Sequence, residues 1–545
     1  MKKITLSLLV AFLPFFAGCS QSSGGAPPSN PSTQQTQNVY FGDSSTSSVP
    51  SASLGYSAGE LKKVDGGLGM TSMPDRALEK NGRDKTIKEA SKPEVKFLAA
   101  RLQPLSTFSA DVDTASYSNM RRFLREGHLP PAHMIRVEEM LNYFNYDLPE
   151  PKADEPFSVT TELSQCPWSS STQLMRVAIK TEELKKGDTP PRNLVFLLDV
   201  SGSMTDPDKL PLLKESLRKL VDNLDDADTV SMVVYAGASG IVLPPTTGDR
   251  KTTILEAIEN LQAGGSTNGS SGIQLAYEMA EKVMDDRSVN RIILATDGDF
   301  NVGLSSLDAL KALIEEKRKS GIFLSVLGFG HNSNDELMET LADNGNGNYA
   351  NIDSVNEAER VLVKEAGATL VTVAKDVKFQ VAFDPKQVES YRLIGYENRR
   401  LAARDFDDDT KDAGEVGAGH SVTALYELKL APQDPEVDLL EKADILKSGQ
   451  LATVRLRYKQ PDADESQLME VPVNKASQPL GDASSDQQWA AAVTAFGLRL
   501  RGELSAKQVS NSQISDLLQP KMSSKPDAYQ AEFYSLVKLA EPMMP

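Results

Sequence analysis

A chain of 545 residues with 40% hydrophobic and 25% charged residues has the length for several domains and a large core. Its formal net charge of −18 argues against nucleic acid as a partner, because phosphate contact needs a basic face. The same balance suits a solvated protein that binds cations.

The N-terminus opens with Lys2 and Lys3, followed by an apolar run from Ile4 to Phe16. Thirteen such residues are too few to span a bilayer as a stable anchor. Phe16-Ala17-Gly18-Cys19 then resembles a bacterial lipobox, with Phe16 standing where Leu is usual. The resemblance implies that residues 1–18 are a lipoprotein signal peptide and that Cys19 carries the lipid. It also implies a place in the cell envelope. Ser20 after the cysteine, by resemblance to Gram-negative lipoproteins, favours the outer membrane, facing the periplasm or the surface. The only other cysteine is Cys166, so a lipidated Cys19 excludes a disulfide framework. Cys166, ahead of Pro167-Trp168, is expected to pack as a small hydrophobe. Residues 19–95 are rich in Ser, Gln, Pro and Gly at first, then charged, and read as a flexible tether.

Residues 96–190 form a flanking region of strands with helices. Leu105–Val112, Phe157–Leu163 and Gln173–Lys180 alternate as strands, and Ser116–Glu126 and Ile135–Phe144 read as helices. Between 191 and 370 strand and helix alternate. Asn193–Asp199 is a continuous apolar run, as a strand buried on both faces should be. Leu213, Leu217, Leu220, Val221 and Leu224 share one face of a helix. Val230–Tyr235, Arg291–Thr296 and Ile322–Phe329 are further strands, with helices over Thr253–Leu261, Ser271–Met284, Leu307–Lys317, Asp335–Ala342 and Val355–Gly367. The fold class this predicts is α/β, a doubly wound, mostly parallel sheet. Residues 371–480 return to a period of two, and residues 481–545 read as a helical tail. The β segments on either side of the α/β block are expected to pair into one sandwich with that block inserted, since the chain ends of a domain often lie close together.

The chemistry gathers at strand ends. The run closing at Leu198 delivers Asp199-Val200-Ser201-Gly202-Ser203, and in an open parallel sheet ligands bind beyond the carboxyl ends of strands. One carboxylate and two hydroxyls at every second position can converge on a point, and all three are hard oxygens. Such a set suits Mg²⁺, with Mn²⁺ or Ca²⁺ as alternatives. The Gly-rich loop Gly264–Gly269 offers the Thr267 hydroxyl, and Ala295-Thr296-Asp297-Gly298 offers a second carboxylate at the end of another strand.

Asp-x-Ser-x-Ser, a later Thr and a later Thr-Asp-Gly, each after the appropriate element, resemble the metal ion-dependent adhesion site (MIDAS) of von Willebrand factor type A (VWA) domains. That resemblance implies Asp199, Ser201, Ser203, Thr267 and Asp297 as metal ligands, directly or through water, and an open coordination position completed by an acidic group of a partner. Ser106–Thr114, Val137–Met140, Asn142-Tyr143-Phe144, Gly395–Arg399 and the segment from Asp412 to Glu427 further resemble the regions flanking the VWA domain in a group of bacterial lipoproteins.

Other readings fall away on their residues. Counted from Asp405, an EF-hand loop would need Gly at Thr410 and Glu at Val416. The four histidines, 128, 133, 331 and 420, make no zinc pattern. A hydrolase using Ser201 or Ser203 needs a base, and only His331 follows a strand of the same block. The expectation is therefore a non-enzymatic, metal-dependent module that binds an unidentified protein presenting Asp or Glu, anchored to a membrane by its lipid. The alternative is an envelope scaffold whose metal only stabilises the fold.

Overall fold

The computed structural model describes residues 96–110, 113–152, 155–184, 189–236, 239–265, 269–285, 287–298, 307–330, 334–365, 371–409, 414–432, 450–461, 463 and 465–544. The expected signal peptide, the Cys19 anchor and the whole of the tether lie outside these residues, as does His331. The chain first forms β1 (Leu98–Ala99), β2 (Leu105–Ser109), α1 (Ala115–Arg125), α2 (Val137–Asn142), β3 (Phe157–Gln165) and β4 (Gln173–Thr181). It continues with β5 (Arg192–Asp199), α3 (Leu210–Asp222), β6 (Thr229–Tyr235), β7 (Ser239–Thr247), α4 (Lys251–Glu259), α5 (Gly269–Val283) and β8 (Val289–Thr296). Then come α6 (Leu307–Lys319), β9 (Ile322–Phe329), α7 (Asp335–Asn344), β10 (Tyr349–Ile352) and α8 (Val355–Glu359), the last extended by a π-helical turn over Arg360–Lys364. The remainder is β11 (Thr372–Phe383), β12 (Val388–Ile394), β13 (Arg400–Leu401), β14 (Val416–Gly417), β15 (Ser421–Leu430), β16 (Gln450–Lys459), β17 (Ser466–Asn474), β18 (Ser477–Gln478), α9 (Ser485–Leu500), α10 (Asn511–Ser524) and α11 (Ala528–Ala540).

The central sheet has the order β10-β9-β8-β5-β6-β7, parallel throughout except for antiparallel β7 at one edge. Every residue of β5 is buried. Its side chains alternate between two cores: Leu194, Phe196 and Leu198 pack with Leu213 and Leu217 of α3, while Val195 and Leu197 pack with Ile273 and Ala276 of α5. Helices on both faces explain why this strand reads as an unbroken apolar run.

The flanking strands build two further sheets, and each draws on both sides of the insertion. One has the order β1-β12-β15-β4-β3-β18 and the other β13-β2-β11-β16-β17, with β14 on β11. Strands before residue 190 thus pair with strands after 370 in one sandwich, as the shared period predicts. Strand β4 shows the layering. Met175, Val177 and Ile179 point into the sandwich core with Phe379 and Tyr426, whereas Leu174 and Ala178 face a separate core with Trp489 and Phe496. The residues expected as a helical tail are therefore no appendage. Helix α9 is buried along most of its length, because it covers Leu174, Ala178 and Leu425 on the outer face of β4 and β15 and meets Arg176 there through Gln487.

Some boundaries differ from expectation. The helix expected over Ile135–Phe144 is confined to Val137–Asn142, because Ile135 closes a 3-10 turn on Ala132 and Asn142 turns its amide to the Glu138 carbonyl and to Thr423. The strand expected to reach Val112 ends at Ser109.

The motifs flanking the VWA resemblance meet where the sandwich docks on the α/β domain. Asp113 accepts the Tyr349 N–H at 2.9 Å and pairs with Arg399 at 2.8 Å. Asn119 donates to Asp335 and accepts from Asn351. Arg121 pairs with Asp353, with Glu357 at 2.8 Å and with Glu532 at 2.9 Å, and so joins α1, α8 and α11. Arg360 pairs with Glu357 at 2.7 Å and also with Glu365, and Tyr143 donates to Glu357 at 2.6 Å.

Candidate metal centre

Asp199 is the last residue of β5 and is fully buried. The Val200 N–H donates to the Tyr235 carbonyl at 3.1 Å, which carries the pairing with β6 one residue past the strand. The chain then turns through a 3-10 segment, Gly202–Thr205, anchored by the buried Met204. This turn raises Ser201 and Ser203 above Asp199. Ser201 is buried, Ser203 is exposed, and their hydroxyl oxygens lie 3.0 Å apart. The set therefore runs from a buried carboxylate to an exposed hydroxyl.

Two other loops close on this one. The Gly264 N–H donates to the Val200 carbonyl at 2.8 Å, and the Gly202 N–H donates to the Gly265 carbonyl at 3.1 Å. Gly265 holds φ at +85°, a conformation that favours glycine. The Gly-rich loop is thus tied to the Asp199 loop by backbone, which accounts for the glycines. Thr267 itself lies outside the described residues. From β8, the Thr296 hydroxyl donates to Asp199 Oδ2 at 3.1 Å, and Asp297 follows, nearly buried.

The electrostatics of the carboxylates differ. Asp199 accepts from the Ser201 N–H at 2.9 Å, from Tyr235 at 3.2 Å and from Thr296, all neutral donors. Burial pushes its carboxyl above the usual range; bonds from Ser201 pull it down and the charge of Asp297 pushes it up again. Asp297 accepts from the Lys209 ammonium at 3.0 Å.

The structure thus brings Asp199, Ser201, Ser203 and Asp297 together beyond the carboxyl ends of β5 and β8. It adds residues that pattern reading did not single out: Thr296, Tyr235 and Lys209. Thr296 was legible as part of the Thr-Asp-Gly run. Tyr235 and Lys209 carried no signal, because their roles come from tertiary proximity. The donors are two carboxylates and two hydroxyls, and no group of three or more His, Cys, Asp or Glu converges among the described residues. These hard oxygens fit a divalent cation of the Mg²⁺ class, and a buried carboxylate with only neutral donors is what such an ion would stabilise. Cys166, by contrast, is buried beside Trp168, and burial pushes its thiol up to about 12, which makes it an inert core residue.

Comparison with known proteins gives the context. The family model for the von Willebrand factor type A domain matches residues 193–364, that for von Willebrand factor matches 85–176, and that for the C-terminal part of the uncharacterised protein YfbK matches 368–543. VWA domains commonly mediate protein–protein interaction, often with a divalent metal. The chain is 42% identical over 454 residues to YfbK of Escherichia coli (strain K12), covering 80% of this chain and 78% of that protein. It is 30% identical over 160 residues to inter-alpha-trypsin inhibitor heavy chain H3 of Mus musculus, covering 28% of this chain and 18% of that protein. A solved von Willebrand factor type A structure from Catenulispora acidiphila matches at 14% identity and a TM-score of 0.40, covering 71% of this chain and 91% of that one. The chain belongs to the family of the bacterial protein YfbK, with a VWA domain set between the flanking regions of that family.

Proposed function

We propose that this protein is a metal-dependent protein-binding module of the bacterial cell envelope, used in adhesion or assembly. In this reading a lipid on Cys19 holds it to a membrane, and a divalent cation at the end of β5 grips an Asp or Glu of a protein partner. Mg²⁺ is the first choice of ion, with Mn²⁺ and Ca²⁺ as alternatives. The convergence of Asp199, Ser201, Ser203 and Asp297 at the rim of the sheet carries the reading. Asp199, Ser201, Ser203 and Asp297 would hold the ion, with Thr267 added on the strength of the motif. The bound ion would supply a positive charge that a carboxylate can complete.

The net charge of −18 gives this ion a physical task. An acidic protein repels an acidic partner, and a local cation converts that repulsion into attraction over the few ångströms where contact is made. We read the site as non-catalytic: the Ser201 hydroxyl lies 3.0 Å from that of Ser203 and bonds the Asp199 carboxylate, which in this reading is committed to the ion.

The test is retention of proteins from an envelope extract by the immobilised full chain, in Mg²⁺ and in chelator, with wild type and Asp199→Ala. A protein held only by wild type in Mg²⁺ supports the reading. The same set held in all four conditions, or none in any, favours a scaffold whose metal is only a stabiliser. For the anchor, Cys19→Ser should move the chain out of the membrane fraction; a variant that still sediments with membranes contradicts the lipid.

A further inference from the structure

The two carboxylates of the site are not equivalent. Among the described residues Asp199 meets no ammonium or guanidinium group, but Asp297 has one at hand. The Lys209 ammonium donates to Asp297 Oδ2 at 3.0 Å and to the Ser203 carbonyl at 3.0 Å, so it lies between two of the loops that form the site. This is a built arrangement. Lys209 precedes α3, with its N–H bonded to the Asp206 carbonyl and its carbonyl to the Leu213 N–H. Its stem runs over Gly330, where an added Cβ would stand 2.6 Å from Lys209 Cε. Gly330 therefore leaves room for this side chain by having none of its own. The Lys209 side chain is 16% exposed, which keeps its ammonium near the site rather than in bulk water.

A second carboxylate waits beside it. Asp206 Oδ2 lies 3.8 Å from the same ammonium and is 68% exposed. The lysine thus has one buried and one exposed acceptor within reach of a small side-chain rotation.

Resting on the reading of this site as a divalent-metal centre, we propose that Lys209 is a tethered cation that competes with the metal for Asp297 and so sets the metal affinity of the site. Affinity for hard divalent ions follows the number of charged ligands. With the ammonium on Asp297 the described site carries two negative charges and one positive. When the metal takes Asp297, the ammonium is repelled and moves toward Asp206. The device keeps metal occupancy responsive to the surrounding concentration, where two unshared carboxylates would hold the ion more tightly.

The experiment is a Mn²⁺ titration of the purified full chain, read by the loss of the free-ion signal in electron paramagnetic resonance, for wild type, Lys209→Met, Lys209→Arg and Asp199→Ala. Methionine keeps the stem that lies over Gly330 and removes the charge; arginine keeps the charge. Lys209→Met should tighten Mn²⁺ binding by about tenfold, the order expected for removing a like charge a few ångströms from the ion, and Lys209→Arg should stay near wild type. Unchanged or weaker binding in Lys209→Met, with wild type binding normally, overturns the proposal. Wild type with no saturable binding, or Asp199→Ala binding as wild type does, overturns the metal centre itself, which is a different result. Melting curves in chelator accompany each variant; if Lys209→Met is unfolded, Lys209→Gln takes its place under the same expectations.

Discussion

Two of the charged clusters among the described residues differ in a way that separates a binding site from a joint. At the joint, Arg121, Arg125 and Arg360 face Asp353, Glu357, Glu365 and Glu532, and each of these carboxylates has a guanidinium partner. The Glu357 and Arg360 side chains are 0% and 3% exposed. In the site at the end of β5, the described donors to Asp199 are neutral, and the Lys209 ammonium pairs with Asp297. A cluster that supplies its own counter-charges has no need of a ligand. A cluster with a buried carboxylate held by neutral donors among the described residues, opening to solvent through Ser203, has use for one. Elements from the two flanks and the VWA domain close on the first cluster, so it fixes how the domain is mounted. The second is built by loops of the VWA domain alone.

The comparison can be broken by removing one charge from each cluster. Glu357→Ala strips both Arg121 and Arg360 of a buried partner. It should cost about 3–5 kcal/mol, the usual loss when one member of a buried pair is deleted, read as a fall in the urea midpoint. Asp199→Ala in chelator should leave that midpoint near wild type, because a buried carboxylate without a cation contributes little. Equal losses in both variants would erase the distinction.

Acid should weaken the joint through Glu357. Burial alone would raise the Glu357 pKa, but Arg360 and then Arg121 outweigh it and hold it down to about 2. A carboxylate with a folded pKa below its unfolded value of 4.5 contributes stability that is full above about pH 4.5 and lost as pH falls toward about 2. The loss is on the order of 3 kcal/mol. Glu357→Gln should flatten the stability profile in that window, and an unchanged slope would place the acid sensitivity elsewhere. A metal acts on the other cluster. Mg²⁺ at about a hundredfold over its Kd should add about 2.7 kcal/mol to the domain that binds it. The melting temperature should then rise in wild type and stay still in Asp199→Ala. The smallest effect is expected from the exposed pair of Arg218 with Glu259, where Arg218→Ala should stay within about 1 kcal/mol of wild type.

The sequence carried the second cluster far better than the first. Asp199, Ser201 and Ser203 are contiguous, Asp297 closes an apolar strand, and a motif at strand ends has a position as soon as the strands are recognised. The joint has no such shorthand, because Arg121 meets Glu357 across 236 residues and Glu532 across 411. Of the residues that meet there, Asp113, Tyr143 and Arg399 fall within the flanking resemblances, with no task attached, while Arg121, Glu357, Arg360 and Glu532 carry no signal in the sequence. Among the strands, β5 and β8 were legible because burial on both faces leaves unbroken apolar runs. Strand β7 was missed because it is an edge, largely exposed and carrying Pro244 and Pro245. Strand β10 was missed because four residues are too few to show a period. The helices from Ser485 onward were recognised as helices, but their place in the core was not, since it depends on the outer face of β4 and β15.

The central claim is that the oxygens at the end of β5 hold a divalent ion, and calorimetric titration of Mg²⁺ into wild type and Asp199→Ala addresses it most directly. The account predicts saturable binding at one site in wild type and its loss in the variant. No binding in wild type, or the same isotherm in both, would contradict it.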